Sequence, residues 1–212
     1  EAKFKLGLFE NRYVNEDKIS EKIFNPSHKK TALKLAREGI VLLKNNDLLP
    51  LPKPHNAKNK ILVTGPNANN QSILGDWHNP QPDKNVYTIF EGVEKIGSEV
   101  GYIVDYHNSN ENIKKISNDD ISKTVEVAKQ YDIVIVVVGD NSMRYRWSQK
   151  TAGENTARAE LNLAGKQLDL VMKLKETRKK IIVVYVNGRP ISEPWISENI
   201  NAIVEAWEPG CF

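Results

Sequence analysis

The chain has 212 residues, 40% hydrophobic and 27% charged, the composition of an ordinary globular domain long enough to bury one core. Its net charge of +3 comes from 30 basic and 27 acidic residues scattered along the chain, which argues against nucleic acid as a partner. One cysteine, Cys211, allows no intrachain disulfide; His28, His55, His78 and His107 lack paired ligand spacing, so no metal site is expected, and no run of about 20 apolar residues is present to cross a membrane.

Residues 1–25 read as a leading segment that opens on an amphipathic stretch, residues 2–9, and both chain ends read as cuts through a longer protein. Asn25-Pro26-Ser27 marks the boundary, because the residue before a proline avoids helical geometry and Ser27 can cap a helix beginning at His28. Residues 26–212 then form one domain. In its first helix Ala32, Leu33, Ala36 and Ile40 share a face that should pack on a sheet. Residues 40–43 are a short strand candidate, and the proline-containing stretch from Leu48 to Pro54 cannot be a central strand. Residues 61–64, 103–104, 133–138, 181–186 and 202–204 are β-branched runs without polar alternation, the pattern of strands buried on both faces of a parallel sheet.

Between them lie helical patterns. Thr88 with Glu91 makes a capping box, Ile121, Val125 and Ala128 make an apolar stripe, and Leu170, Val171 and Leu174 make another. This alternation predicts an α/β sandwich: a mostly parallel six-stranded sheet with helices on both faces.

Ligands of open α/β sheets bind beyond the carboxyl ends of the strands, where two long polar loops, residues 67–87 and 140–163, depart. Connections of this class usually take about 2 to 6 residues, so both loops are candidates for binding. The second gathers Asp140, Arg144, Arg146, Trp147, Glu154, Arg158 and Glu160. Cleaving a sugar linkage needs one carboxyl to protonate the leaving oxygen and another across the ring, while Trp77 and Trp147 offer faces on which pyranose rings stack. An acidic loop residue is by default simply solvated, and Trp147 would equally serve to cover apolar surface. Trp195 and Trp207 read as packing residues. A nucleotide site would fall at Gly65-Pro66-Asn67-Ala68 or Gly139-Asp140-Asn141-Ser142, yet neither turn repeats glycine or carries a P-loop lysine, and Pro66 lacks an amide donor. Asn70-Gln71-Ser72 is a formal glycosylation sequon.

Several strings occur together in one order. Lys5-Leu6-Gly7-Leu8-Phe9-Glu10-Asn11-Arg12-Tyr13-Val14 resembles the segment that leaves the N-terminal barrel in glycoside hydrolases of family 3, with Arg12 where proline is usual. Leu35-Ala36-Arg37-Glu38-Gly39-Ile40-Val41-Leu42-Leu43-Lys44-Asn45 and Leu48-Leu49-Pro50-Leu51 resemble the entry to that family's second domain. Residues 60–68, Gly75-Asp76-Trp77, Asn187-Gly188-Arg189-Pro190 and Ala206-Trp207-Glu208-Pro209-Gly210 match further blocks. The resemblance covers nearly the whole chain and implies a retaining, exo-acting β-glycosidase, β-glucosidase-like, that hydrolyses β-linked oligosaccharides or glycosides without a cofactor.

The same resemblance implies a nucleophilic aspartate on an N-terminal barrel outside this chain and an acid/base glutamate within it. Gly153-Glu154-Asn155-Thr156-Ala157-Arg158, followed by Leu161-Asn162-Leu163 and Gly165-Lys166-Gln167, places Glu154 in that role. Ala157 departs from a frequent Asp or Ser and Ala164 from a frequent Pro, so Asp140 and Glu160 stay as reserves. Trp77, Trp147 and Arg158 are expected to bind substrate, with Arg158 ordering the loop without touching Glu154. The family also implies a periplasmic or secreted setting, and a fragment inactive without its barrel. A carbohydrate-binding or scaffolding module without chemistry is the alternative, favoured if Glu154 is buried and paired away from the strand ends.

Overall fold

The computed structural model describes residues 1–54 and 59–211; His55, mentioned above, lies outside the described residues. The chain divides into two compact units, Glu1–Leu35 and Ala36–Phe212. The first contains the short helices α1 (Ala2–Lys5) and α2 (Ile19–Lys22) and most of α3 (Pro26–Gly39). Asn25, rather than Ser27, caps α3: its Oδ1 accepts from the Ser27 and His28 amides at 2.9 and 3.1 Å. Pro26, which has no amide to satisfy, then fits the first helical turn. Ala32, Leu33 and Ala36 of the expected stripe are half-buried, none of them fully, and Ile40 is exposed.

The second unit holds six strands, β1 (Val41–Asn45), β2 (Lys60–Thr64), β3 (Ile103–His107), β4 (Ile133–Gly139), β5 (Lys180–Val186) and β6 (Ala202–Trp207), in one sheet of order β1-β6-β5-β4-β2-β3. All neighbours are parallel except β1, which pairs antiparallel with β6. Helices α4 (Ile89–Val100), α5 (Asn118–Ala128), α6 (Gln167–Glu176) and α7 (Pro194–Asn199) supply the crossovers. Thr88 and Glu91 form the predicted capping box of α4.

Alternation along the strands sends side chains to two cores. Val134, Val136 and Val138 of β4 join Leu62 and the buried side chains of α5, α6 and α7, including Ile121, Leu170, Leu174 and Ile196. Ile133, Ile135 and Val137 join Ile61 and Val63, against which Ile89, Phe90 and Val93 of α4 pack. Every residue of β4 is buried, which explains its unbroken β-branched sequence. Strand order therefore reverses between β2 and β4: the chain leaves β2 toward β3 through α4 on one face, and leaves β4 toward β5 through α6 on the other. Such a switch point opens a crevice at the strand carboxyl ends.

Candidate active site

The two turns at the crevice are filled by the protein itself. Gly65 (φ 106°) and Gly139 (φ 144°) lie so close to the neighbouring strands that an added Cβ would meet Val137 O at 2.1 Å and Val186 O at 1.9 Å. The buried Asn67 amide donates to Asp140 O at 3.0 Å across the gap. These glycines serve strand packing, and the amides of Asn67, Ala68, Gly139, Asp140 and Asn141 are already bonded within the protein, which disfavours the nucleotide reading. Asn70 of the formal sequon is buried, with its Nδ2 donating to Pro66 O at 2.6 Å, so it presents no acceptor amide for glycosylation.

The loop after β4 is held at its root. Gln167, fully buried on α6, accepts from Gly139 N (2.9 Å) and donates to Gly139 O (2.8 Å) and Ala164 O (3.0 Å). A neck follows: Asn141 N donates to Thr151 Oγ1 (2.9 Å) and Thr151 N to Asn141 O (2.8 Å). Asp140 accepts from the Thr151 hydroxyl and forms a 2.7 Å ion pair with Arg189 from the loop after β5. Asp140 is thus buried, with its carboxylate engaged by the Thr151 hydroxyl and Arg189. Glu160 is exposed, and it accepts from Asn162 Nδ2 at 3.0 Å.

Beyond the neck, Gly153–Thr156 closes a tight turn through Thr156 N to Gly153 O at 3.0 Å, with Asn155 at φ 58°, a conformation Asn tolerates. Glu154 sits on this turn with 41% of its side chain exposed, so it is not buried away from the strand ends. Its carboxylate pairs with Arg144, whose guanidinium lies 3.8 Å from the Trp77 ring centroid and 5.9 Å from that of Trp147. The loop after β2 and the loop after β4 thus meet. Arg158 touches Asn162 instead, at O (3.1 Å) and Oδ1 (2.6 Å), leaving Glu154 to Arg144.

Beneath Glu154 lies an ion pair that the sequence reading does not single out. Asp76 Oδ2 accepts from Glu154 N at 2.7 Å and from Lys150 Nζ at 3.1 Å, and Asp76 Oδ1 accepts from Trp77 N at 2.8 Å. Burial pushes the Asp76 carboxyl up, but the Glu154 and Trp77 amides and the Lys150 ammonium outweigh it and hold that carboxyl below its ordinary value. Lys150 is 1% exposed; it also donates to Glu154 O at 3.0 Å and lies 4.8 Å from the Trp147 ring centroid. Trp147 therefore shields a buried ammonium with one face, while Trp77 remains 72% exposed. Trp195 packs against the core as expected, whereas Trp207 is 42% exposed at φ 58° and is not a packing residue.

A further carboxyl, Glu208, closes the floor of the crevice. Its Oε1 accepts from Ser142 Oγ at 2.8 Å, and its side chain lies against Gly75 and Gly188, where a Cβ would come within 2.3 and 3.0 Å of Oε2. Burial raises the Glu208 carboxyl above its ordinary value; the Ser142 hydroxyl opposes the shift, and the charges of Asp76 and Asp140 reinforce it.

Comparison with known proteins places this arrangement. Residues 40–211 match the model of the glycosyl hydrolase family 3 C-terminal domain. A "Beta-xylosidase" of Formosa agariphila is 36% identical over 99% of this chain, and a "Periplasmic beta-glucosidase" of Salmonella typhimurium is 31% identical over 99%. The chain spans 28% and 29% of those relatives' lengths. Among solved structures, a β-glucosidase from Listeria innocua in complex with gluconolactone superimposes with a TM-score of 0.81 at 25% identity, over 99% of this chain and 27% of that one. The chain belongs to glycosyl hydrolase family 3, and its α/β sandwich is that family's C-terminal domain.

Proposed function

We propose that this chain supplies the acid/base carboxyl, Glu154, of a retaining exo-acting β-glycosidase whose nucleophile resides on a barrel outside it. The observation that supports this reading is the position of Glu154: on a braced turn after β4, solvent-accessible, with its carboxylate paired to Arg144. In such an enzyme the carboxyl protonates the leaving oxygen while an aspartate, its carboxyl about 5 to 5.5 Å from the first, attacks the anomeric carbon, and the carboxylate left by the proton transfer then activates water to release the sugar. Arg144 must let go of Glu154 before the proton can be given. Trp77, exposed beside Arg144, offers a stacking face to the sugar or to its leaving group, Trp147 offers its outer face, and Arg158 shapes the turn's exit through Asn162. Residues 1–25 would then link the barrel to a domain beginning at residue 26. The relatives' names make β-glucosides and β-xylosides the substrates to test first.

The test is Glu154→Gln in the full-length enzyme. Its kcat/KM should fall by about 10²- to 10⁴-fold on alkyl β-glycosides, the range ascribed to general acid catalysis. On 2,4-dinitrophenyl glycosides, which leave without a proton, the covalent intermediate should still form rapidly. Equal losses on both substrates would refute the assignment. The 212-residue chain alone should hydrolyse neither.

A further inference from the structure

We propose that Asp76 and Lys150 are positioning residues for the reaction, one ion pair that clamps the main chain of Glu154 and fixes the point from which its carboxyl works. The inference rests on the acid/base reading of Glu154. Both polar main-chain groups of Glu154 are held by the two members of the pair: its N–H donates to Asp76 Oδ2 at 2.7 Å, and its carbonyl accepts from Lys150 Nζ at 3.0 Å. The pair itself closes at 3.1 Å. Lys150 directs nothing to solvent, since its ammonium meets Asp76, the Glu154 carbonyl and the Trp147 ring.

A buried ammonium is costly unless it is paired and hydrogen-bonded, and apolar side chains of similar volume often replace such pairs without loss of stability. Loop stability alone therefore gives little reason for a lysine here. Gly153 completes the fit. At φ 89° it adopts a conformation that L side chains rarely take, and a Cβ there would lie 2.5 Å from Asp76 Oδ2, so the carboxylate reaches the Glu154 amide only because residue 153 is glycine. Asp76 comes from the loop after β2 and Lys150 from the loop after β4, so the clamp also ties together the two sides of the crevice. The Glu154 side chain, by contrast, is bound only by the partly exposed Arg144. A fixed origin with an exposed carboxyl suits a group that gives a proton in one step and takes one in the next.

The experiment measures kcat/KM of full-length Lys150→Met and Asp76→Asn enzymes on an alkyl β-glycoside and a 2,4-dinitrophenyl β-glycoside, beside Glu154→Gln. A displaced acid should cost about 100-fold on the alkyl substrate, the scale of loss for a misplacement near 1 Å, with little change on the activated one. A merely structural role would lower both substrates alike, and that result, or no loss in either variant, overturns the clamp. Should Lys150→Met fail to fold, the isosteric Asp76→Asn decides. If Glu154→Gln discriminates between the substrates and the clamp variants do not, only the positioning role falls. If Glu154→Gln itself does not discriminate, the acid/base reading falls with it.

Discussion

Glu208 shows how a single residue at the crevice carries a cost that pH reveals. Its carboxyl is raised by burial and by the neighbouring Asp76 and Asp140 charges, against the Ser142 hydroxyl. Below its ordinary value of 4.5 the group is protonated in folded and unfolded chains alike and costs nothing. As pH rises from there toward the higher folded value, only the unfolded chain ionises, so stability falls. Glu208→Gln keeps an acceptor for Ser142 and removes the charge. Its melting temperature should match the parent's at pH 3.5 and exceed it at pH 7, and equal melting temperatures at both would show that the carboxyl is relaxed in its site. At this scale the sequence is unevenly legible. Glu154 is singled out because it stands in a string that resembles the family. Lys150 is not, because an isolated lysine reads as solvated and its partner Asp76 lies 74 positions away. Arg144, as the partner of Glu154, depends on how the loop after β4 folds back on itself over ten residues, which no local pattern encodes.

At the scale of elements, legibility follows burial. The runs at β2, β4, β5 and β6 are apolar without alternation because both faces are covered, and α4, α5 and α6 show their stripes because one face meets the sheet. The antiparallel pairing of β1 with β6 leaves no such mark, since the composition of a short edge strand does not depend on its direction. The start of α3 shifts for a similar reason: Asn25 and Ser27 are both good caps, and the choice between them turns on where Pro26 fits. Because the strand runs reflect packing, truncation in them or against them should be expensive. Leu170 on α6 is 0% exposed in the core that also contains Val136 and Val183. Leu170→Ala should lower unfolding stability by about 2 to 5 kcal/mol, read as a shifted denaturant midpoint at unchanged slope. A loss under about 1 kcal/mol would mean that α6 packs on the sheet more loosely than its burial indicates.

At the scale of the whole molecule, one apolar surface of the sheet lies open. Ile40, Val41, Leu42 and Leu43 are consecutive, apolar and 44%, 42%, 52% and 56% exposed. Strand neighbours point to opposite faces, so β1 is uncovered on both, and its outer edge has no strand partner among the described residues. Natural sheets protect such edges with charge, proline or cover, and an apolar patch of this kind otherwise invites association. The run is apolar throughout, which is why sequence alone reads it as a short strand. The chain spans under a third of the relatives' lengths given above, and we propose that a further part of a longer protein covers this run. The 212-residue chain by itself should therefore bind a hydrophobic dye such as ANS and sediment as more than a monomer, and Leu42→Lys with Leu43→Lys should suppress both effects. In the full-length enzyme the same two substitutions should instead lower stability, because they would place charge in a buried interface. Dye binding by the isolated chain that the lysines leave unchanged, together with a full-length enzyme indifferent to them, would show that β1 faces water in the native protein.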